Sequence, residues 1–585
     1  MMVSTTHTKA TSARKGLLFL TVFALLCGCC LFADGLPLND SDIESKWFAA
    51  VFLSAILLLV AVCMVWKEKG PFSLRQSDII VSVLFFYITL RGLAGESPLF
   101  WLRLAAIALL YASFRLLDDS LLVSLEAIVT MLCTMLALWG IGQALHLLPV
   151  GKRGFPIVGN FDNPAGFASA LAAGFSFAFS SAQGRNGAAR ILSFLPAILM
   201  VLAIVFSGSR AGLLAVVVIV MIVLAHKVKV SRFAMIAACT FSLLAMSLAL
   251  YFLKKDSADG RLLIWLVSMR LFIRHPLFGG GSGAFLREYM PEQASFFQMH
   301  PESRLSFLAD NISHPFNEYL SFLIQWGMVG AMLCVALAVV IIKSWKRNRT
   351  QENAALLLAL TAMGIFALFS YPMNYPFGWL VASMAVGIIG RCTPEVHRLK
   401  WHPLISCTAG MLPAIVVLCG TFVQYGNYSR WHALSHHRPH VSPEVLYEGY
   451  EALYPALHAD PLFLYNYAAE MHNLNRDDAA LTLATSCQTR RDDYVVEHLK
   501  GDILRSVERR EEAHAAYETM CNMCPNRFIP LYRLFQLAEE DGDAEKANVL
   551  AKEIIQKPVK IQSPQVDFIK ARCKNYINNQ LNNNK

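Results

Sequence analysis

Charge is scarce in this sequence. Only 16% of its 585 residues are Asp, Glu, Lys or Arg, against about a quarter in an ordinary soluble domain. So little charge cannot clothe a chain of this length in a polar surface, which excludes a wholly soluble protein. The apolar–polar alternation of barrel strands is missing as well. The hydrophobic residues, 55% of the chain, instead form long continuous runs, and in lipid only helices or closed barrels satisfy their own backbone. Among the 14 cysteines no Cys/His grouping has zinc spacing. Cys27, Cys29, Cys30, Cys133 and Cys239 sit inside apolar runs, where cysteine behaves as a small hydrophobe. No small-x-small cleavage site follows the first run, Gly16–Ala33, so it is expected to remain as a membrane span. The net charge of +9 is not a nucleic-acid signature, because the basic residues lie largely in short loops between apolar runs, where they set topology.

What is present is an all-α, polytopic membrane bundle of about 12–13 spans, each of bilayer-crossing length. The expected spans are 16–33, 47–66, 78–94, 98–116, 120–145, 164–182, 190–207, 210–226, 232–253, 316–342, 353–370, 376–390 and 403–424. Basic loops fall on alternate connections: Lys9, Arg14 and Lys15; Lys67, Lys69 and Arg75; Arg185 and Arg190; Lys227, Lys229 and Arg232; and the run K-S-W-K-R-N-R. By the positive-inside rule these are cytoplasmic, with Arg91, Lys152 and Arg153 as exceptions. The parity puts the large polar loop 254–315 outside the cytoplasm. On the same side fall the turn Ser207–Gly212 (S-G-S-R-A-G), the loop Pro149–Pro164 ending G-N-F-D-N-P, and everything after Asn427. The third and fourth spans carry this parity: losing either one inverts it.

Residues 1–428 are therefore read as a transmembrane domain and 429–585 as a second, helical one. In the second, D-D-A at Ala479, E-E-A at Ala513 and E-K-A at Ala547 recur at intervals of 34 residues, the tetratricopeptide period. Gly501, Ala513, Tyr517 and Pro525 stand where that motif wants small, small, aromatic and proline. Cys521 and Cys524 fall at a helix end of this repeat and are expected to pack rather than to form a disulfide. Asn575–Lys585 is expected to fray.

Groups able to handle charge and protons gather in the polar stretches of one side. Arg210 begins the eighth span, where an arginine needs a polar cavity or phosphates. Arg261 opens the amphipathic segment R-L-L-I-W-L-V-S-M-R-L-F-I-R. Guanidinium forks match phosphate oxygens and stay charged, so two of them suit a diphosphate. His314, before a proline at the start of the tenth span, can accept a proton near neutral pH. Asn160, Asp162 and Asn163 offer an amide set and a carboxylate to sugar hydroxyls, or else form a turn with Asn163 as a helix cap. No Asp-x-Asp metal motif appears on this side, and no metal or cofactor is expected.

The order S-G-S-R-A-G-L-L-A, then G-R…W…H-P-L-F-G-G-G, then H-P-F-N-E-Y-L…W-G-M-V-G resembles the O-antigen ligase superfamily: O-antigen ligases, O-antigen polymerases and protein O-oligosaccharyltransferases. The resemblance covers roughly 159–330. It implies a metal-independent glycosyltransferase of the bacterial inner membrane. Such an enzyme passes a glycan from a polyprenyl diphosphate to a hydroxyl on the outer face. By position, Arg210 and Arg261 match the donor-phosphate arginines, and His314 matches the histidine that activates the acceptor hydroxyl. Many members read H-N-E-Y where this chain reads H-P-F-N-E-Y. Asn317 and Glu318 thus match the N-E pair, with Asn317 a candidate glycan contact, and His314 is displaced by two positions, which leaves Glu318 as the alternative proton acceptor. The acceptor stays open between lipid A core, a growing glycan and a protein, and the repeat region is expected to engage it or a protein partner. Membrane lipids are the other expected partners, and no nucleic acid is. Two other classes compete: a transporter of lipid-linked sugars, and a membrane-anchored scaffold.

Overall fold

The computed structural model describes residues 2–65, 72–93, 95–151, 154–184, 186–227, 255–399, 403–436 and 441–583, with scattered positions between 231 and 245. Most of the expected span 232–253 lies outside the described residues, as does Lys254. The helices in order are α1 (Met2–Phe32), α2 (Ser41–Val65), α3 (Gln76–Gly92), α4 (Pro98–Arg115), α5 (Leu122–Ala144), α6 (Pro164–Gln183), α7 (Ala188–Ser193), α8 (Leu195–Phe206) and α9 (Arg210–Lys227). The polar segment contributes α10 (Lys255–Arg274) and α11 (Ala284–Met299). Then come α12 (Glu318–Arg347), α13 (Gln351–Ala367), α14 (Pro376–Gly390) and α15 (Pro403–His436). Eight helices, at 13–32, 42–65, 98–115, 119–144, 164–183, 189–206, 318–347 and 408–436, are long and apolar enough to cross a membrane. Apolar stretches in α9, α13 and α14 are shorter. The protein is thus all-α and polytopic. Its sheet among the described residues is a two-stranded antiparallel ladder of Phe72–Arg75 with Glu395–Leu399.

Helix α6 is the most enclosed of the eight. Its sequence P-A-G-F-A-S-A-L-A-A-G explains why: small side chains let neighbouring backbones approach closely. A Cβ on Gly174 would meet Cys133 Sγ at 2.6 Å. Helix starts follow from local chemistry. Ser97, Asn163 and Asp460 accept amide hydrogen bonds as N-caps, each with proline as the next residue.

The two glycine motifs read as a fingerprint have a mechanical reason. Helix α12 is broken at Gly327, whose backbone (φ 60°, ψ −167°) is open in practice only to glycine. Across the break runs the chain 276–281. Gly280 and Gly281 donate to the carbonyls of Ile324 and Gln325 (2.8 and 3.0 Å), and Met328 and Val329 donate to those of Pro276 and Leu277 (2.8 and 3.0 Å). Tyr87 Oη donates to the Phe278 and Trp326 carbonyls, and Arg91 Nη2 to that of Gly279. This backbone interlock fastens the polar segment to a membrane helix and fixes where α10 sits.

The C-terminal helices are α16 (Pro443–Leu457), α17 (Pro461–Asn473), α18 (Asp477–Gln488), α19 (Tyr494–Ser506), α20 (Arg510–Met523), α21 (Ile529–Glu540), α22 (Ala544–Gln556) and α23 (Pro564–Asn583). Ala513 and Ala547, each the fourth residue of its helix, are fully buried. In the first unit the buried alanine is Ala480, while Ala479 is exposed. The repeat there is one residue out of register, because α18 begins at Asp477. Gly501 makes room for the Tyr517 ring, and a Cβ would meet that ring at 2.5 Å. Cys521 and Cys524 are both free thiols. The boundary read at 428/429 falls inside the continuous helix α15, whose Tyr428 and Trp431 are buried against Asp460 and Phe463. The array also shares a core with the polar segment: Tyr289, Met290 and Phe297 pack with Tyr517, Met520 and Cys524. Gln293 Nε2, buried there, donates to Met523 O at 2.6 Å.

Candidate functional site

Two cavities meet at one tyrosine. The first, about 950 Å³, is lined by Arg210, Arg261, Asn163, Trp265, Phe316 and Tyr371, with apolar side chains such as Phe206 and Phe366 around them. The second, about 800 Å³, is lined by His314, Asn317, Glu318 and again Tyr371, together with residues of α3, α4, α11 and the C-terminal array. Of the residues singled out from sequence, Asn163, Arg210 and Arg261 line the first chamber and His314, Asn317 and Glu318 the second, while Asn160 and Asp162 line neither.

Arg210 is the first residue of α9. The preceding turn is built by Gly208 in the left-handed region (φ 65°) and by Ser209, whose hydroxyl accepts from the Gly212 amide at 3.3 Å. Arg261 comes from α10, with its guanidinium carbon 5.8 Å from the centre of the Phe316 ring. Burial lowers its pKa, and the positive charge of Arg210 lowers it further, so the two guanidiniums face one space. Among the described residues lining this cavity none is acidic. Two positive charges held together in an apolar chamber form a setting that an anion stabilises.

The segment Ser313–Asn317 is held in an unusual shape. Phe316 takes φ 51°, a conformation rare for a bulky residue. Trp265 Nε1 donates to Pro315 O at 3.0 Å. Asn317 caps α12, its side chain accepting from the Leu320 amide at 3.0 Å. The two extra residues of H-P-F-N-E-Y, Pro315 and Phe316, are thus absorbed by a strained backbone, with the Phe316 ring under Arg261 and His314 in the second cavity.

The His314 ring stacks on Tyr371, with centroids 4.6 Å apart and planes at 25°. A part of the ring is exposed through the cavity, but the protein packed around it desolvates the charged form. Burial therefore lowers the His314 pKa from 6.5 to about 4, against an opposing pull from Asp162. The imidazole is therefore neutral at neutral pH, and the same burial makes it a weaker base than the near-neutral proton acceptor expected from the sequence. Glu318 lines the same cavity, and its Oε1 accepts from the Met373 amide at 3.0 Å. This bond ties the start of α12 to the short turn Pro372–Asn374.

Behind these residues lies a polar network. Asp162 accepts from Tyr375 Oη (2.6 Å) and from Asn163 Nδ2 (2.8 Å). Asn163 Nδ2 also approaches the hydroxyls of Tyr371 (3.0 Å) and Tyr375 (2.8 Å), while its Oδ1 accepts from the amides of Ala165 and Gly166. Asn163 is thus both cap and cavity wall, and Asp162 is engaged by tyrosine. Asn160 is placed elsewhere: its Nδ2 donates to Phe32 O at 2.8 Å, and it lines neither cavity. Tyr371 is held neutral. Burial first, and then Asp162, push its pKa up to about 12. Sequence reasoning missed Tyr371, Tyr375 and Phe316. The available signal was Y-P-M-N-Y-P, two tyrosines and two prolines in the connection between two spans. Among the described residues no group of three or more His, Cys, Asp or Glu is placed to hold a metal ion.

Comparison with known proteins is consistent with this layout. Residues 195–335 match the family model described as O-antigen ligase, which supports placing the chain in the O-antigen ligase superfamily. The matched stretch holds Arg210, Arg261, His314 and the glycine interlock. It leaves Asp162, Tyr371 and the C-terminal array outside. No curated protein matches the chain.

Proposed function

We propose that this chain, with its O-antigen ligase region at 195–335, transfers a glycan from a polyprenyl diphosphate to an acceptor hydroxyl on the outer face of the bacterial inner membrane. The family match supports a membrane glycosyltransferase of ligase or polymerase type. The observation that carries the finer reading is the pair of cavities joined at Tyr371, one holding two arginines and the other a neutral imidazole.

In this reading the diphosphate lies in the first cavity on Arg210 and Arg261, with the polyprenyl chain along its apolar wall. The acceptor enters the second. Its hydroxyl oxygen attacks the anomeric carbon near Tyr371 and gives its proton to His314. The bond from that carbon to the diphosphate oxygen breaks, and its electron pair leaves with the diphosphate. The arginines stabilise the negative charge that develops there, which is where electrostatic catalysis acts. Glu318, whose Oε1 accepts from the Met373 amide, lines the same cavity and is the second candidate to take this proton. We read the C-terminal array as a tetratricopeptide-like unit that walls the acceptor cavity, because Pro461, Thr489 and Arg490 reach that cavity.

Deletion of the gene tests the acceptor. Loss of the lipopolysaccharide ladder would identify a ligase, altered ladder lengths a polymerase, and loss of glycoprotein staining a protein transferase. An unchanged ladder with unchanged glycoproteins would contradict the reading.

A further inference from the structure

Three arginines from three parts of the chain line the second cavity, two of them fastened to its glycine turn. Arg91 of α3 donates to Gly279 O at 2.6 Å. Arg287 of α11 donates to Gly280 O at 3.1 Å. Arg490, from the array, donates to Gly95 O, and its own carbonyl lies 3.9 Å from where a Cβ on Gly283 would stand. All three side chains line the cavity and are half-buried.

Their charge is incompletely answered. Arg287 pairs with Glu288 at 2.6 Å, whereas the partners found for Arg91 and Arg490 are backbone carbonyls. The other charged residues on the cavity wall are Arg103, Glu96 and Glu318. Arg103 stacks on Trp47 at 5.1 Å and faces Glu44 and Asp460. Glu318 is turned to Met373. Each of the three guanidiniums presents five N–H groups and uses one or two of them on the protein. The remaining N–H groups on this one cavity wall are donors that an anionic ligand would satisfy.

We infer that the second cavity holds a phosphate group of the acceptor on Arg91, Arg287 and Arg490, so that the acceptor is a phosphate-bearing sugar. This rests on the reading that the second cavity receives the acceptor. A phosphate monoester fits better than a carboxylate. It carries a charge of about −1.5 to −2 and three acceptor oxygens, which suits three forks, where a carboxylate offers one charge and two oxygens. The array then has a direct part in substrate choice, since Arg490 completes the cluster.

Phosphate binding to the full-length protein in detergent tests this. Arg210→Gln and Arg261→Gln are introduced first, to silence the first cavity, and inorganic phosphate and acetate are titrated by calorimetry. Saturable phosphate binding is expected, about tenfold or more tighter than acetate. Adding Arg91→Gln or Arg490→Gln should weaken it about tenfold or more, and Arg490→Lys should weaken it less, at an unchanged melting temperature. Absent binding, or binding indifferent to Arg91→Gln and Arg490→Gln, overturns the subsite. Acetate binding as tight as phosphate overturns the phosphate assignment in favour of an acidic peptide. Glycan transfer by the otherwise wild-type chain is measured in parallel. Phosphate binding without any transfer would overturn the acceptor assignment and the transferase reading while leaving an anion site. Transfer without phosphate binding would overturn the subsite alone.

Discussion

Gly327→Ala should uncouple the polar segment from the membrane helices. Its φ of 60° with ψ −167° costs an alanine about 1–3 kcal/mol in strain. The new Cβ would also lie 2.5 Å from the Leu277 carbonyl carbon and 2.6 Å from the Gly279 nitrogen. These are backbone atoms that cannot rotate away, so the strands of the interlock must part. That loses the bonds from Met328 to Pro276 and from Val329 to Leu277, at about 1 kcal/mol each. The sum is about 3–5 kcal/mol, a large share of ordinary protein stability. Because the interlock places α10, Arg261 should move with it, and glycan transfer should fall together with thermal stability. The assay is the fraction of monodisperse protein after stepwise heating in detergent, paired with transfer activity in membranes. Gly426→Ala is the control, since a Cβ at Gly426 in α15 meets nothing within 4 Å. A Gly327→Ala protein as stable and active as the control would refute the interlock argument.

Four other perturbations follow from the site. Arg210→Lys keeps the charge but loses the planar fork, so transfer should drop more than tenfold, about 1.4 kcal/mol; a wild-type rate would show that charge alone suffices. Tyr371→Phe keeps the ring against His314 and removes the hydroxyl bonded to Asn163; kcat should fall about tenfold or more with donor KM nearly constant, and an unchanged kcat would make the hydroxyl irrelevant. Because the folded-state pKa of His314 is about 4 against 6.5, the unfolded chain binds the extra proton first as pH falls. The stability that the neutral ring contributes is therefore lost between pH 6.5 and 4, and His314→Gln should flatten that part of the unfolding profile; an identical slope would contradict the burial argument. Glu302→Cys, at an exposed position between α11 and α12, should react with an impermeant thiol reagent in cells with an opened outer membrane, above the background of native cysteines; reaction only after inner-membrane lysis would place the loop in the cytoplasm.

Many membrane helices were legible because continuous apolar runs carry their own physics, and α4, α6 and α12 begin within two residues of the expected spans; α3, at the expected span 78–94 on which the parity rests, is not among the helices long and apolar enough to cross. Arg210 and Arg261 were legible as a pair, since guanidinium chemistry beside an apolar run has few uses. The pairing of His314 with Tyr371 was not legible. The two are far apart in sequence and meet where Glu318 is tied to the turn at Pro372–Asn374. The glycines of 279–281 and 327 stood out as a motif, but their purpose is a backbone pairing that no single-residue property reveals. Asn160 illustrates the converse. Its neighbours Asp162 and Asn163 reach the polar network, while its own amide is spent on the end of α1. Array and polar segment share a core through Tyr289 and Tyr517, which a repeat pattern read by itself does not disclose.

The central claim is tested most directly by purified full-length protein in liposomes supplied with a polyprenyl diphosphate-linked glycan and candidate acceptors. The account predicts that polyprenyl diphosphate is released in equal amount to glycan joined to acceptor, and that Arg261→Gln and His314→Gln each abolish both. Glycan that crosses the bilayer still attached to its carrier, with no diphosphate released, would contradict it.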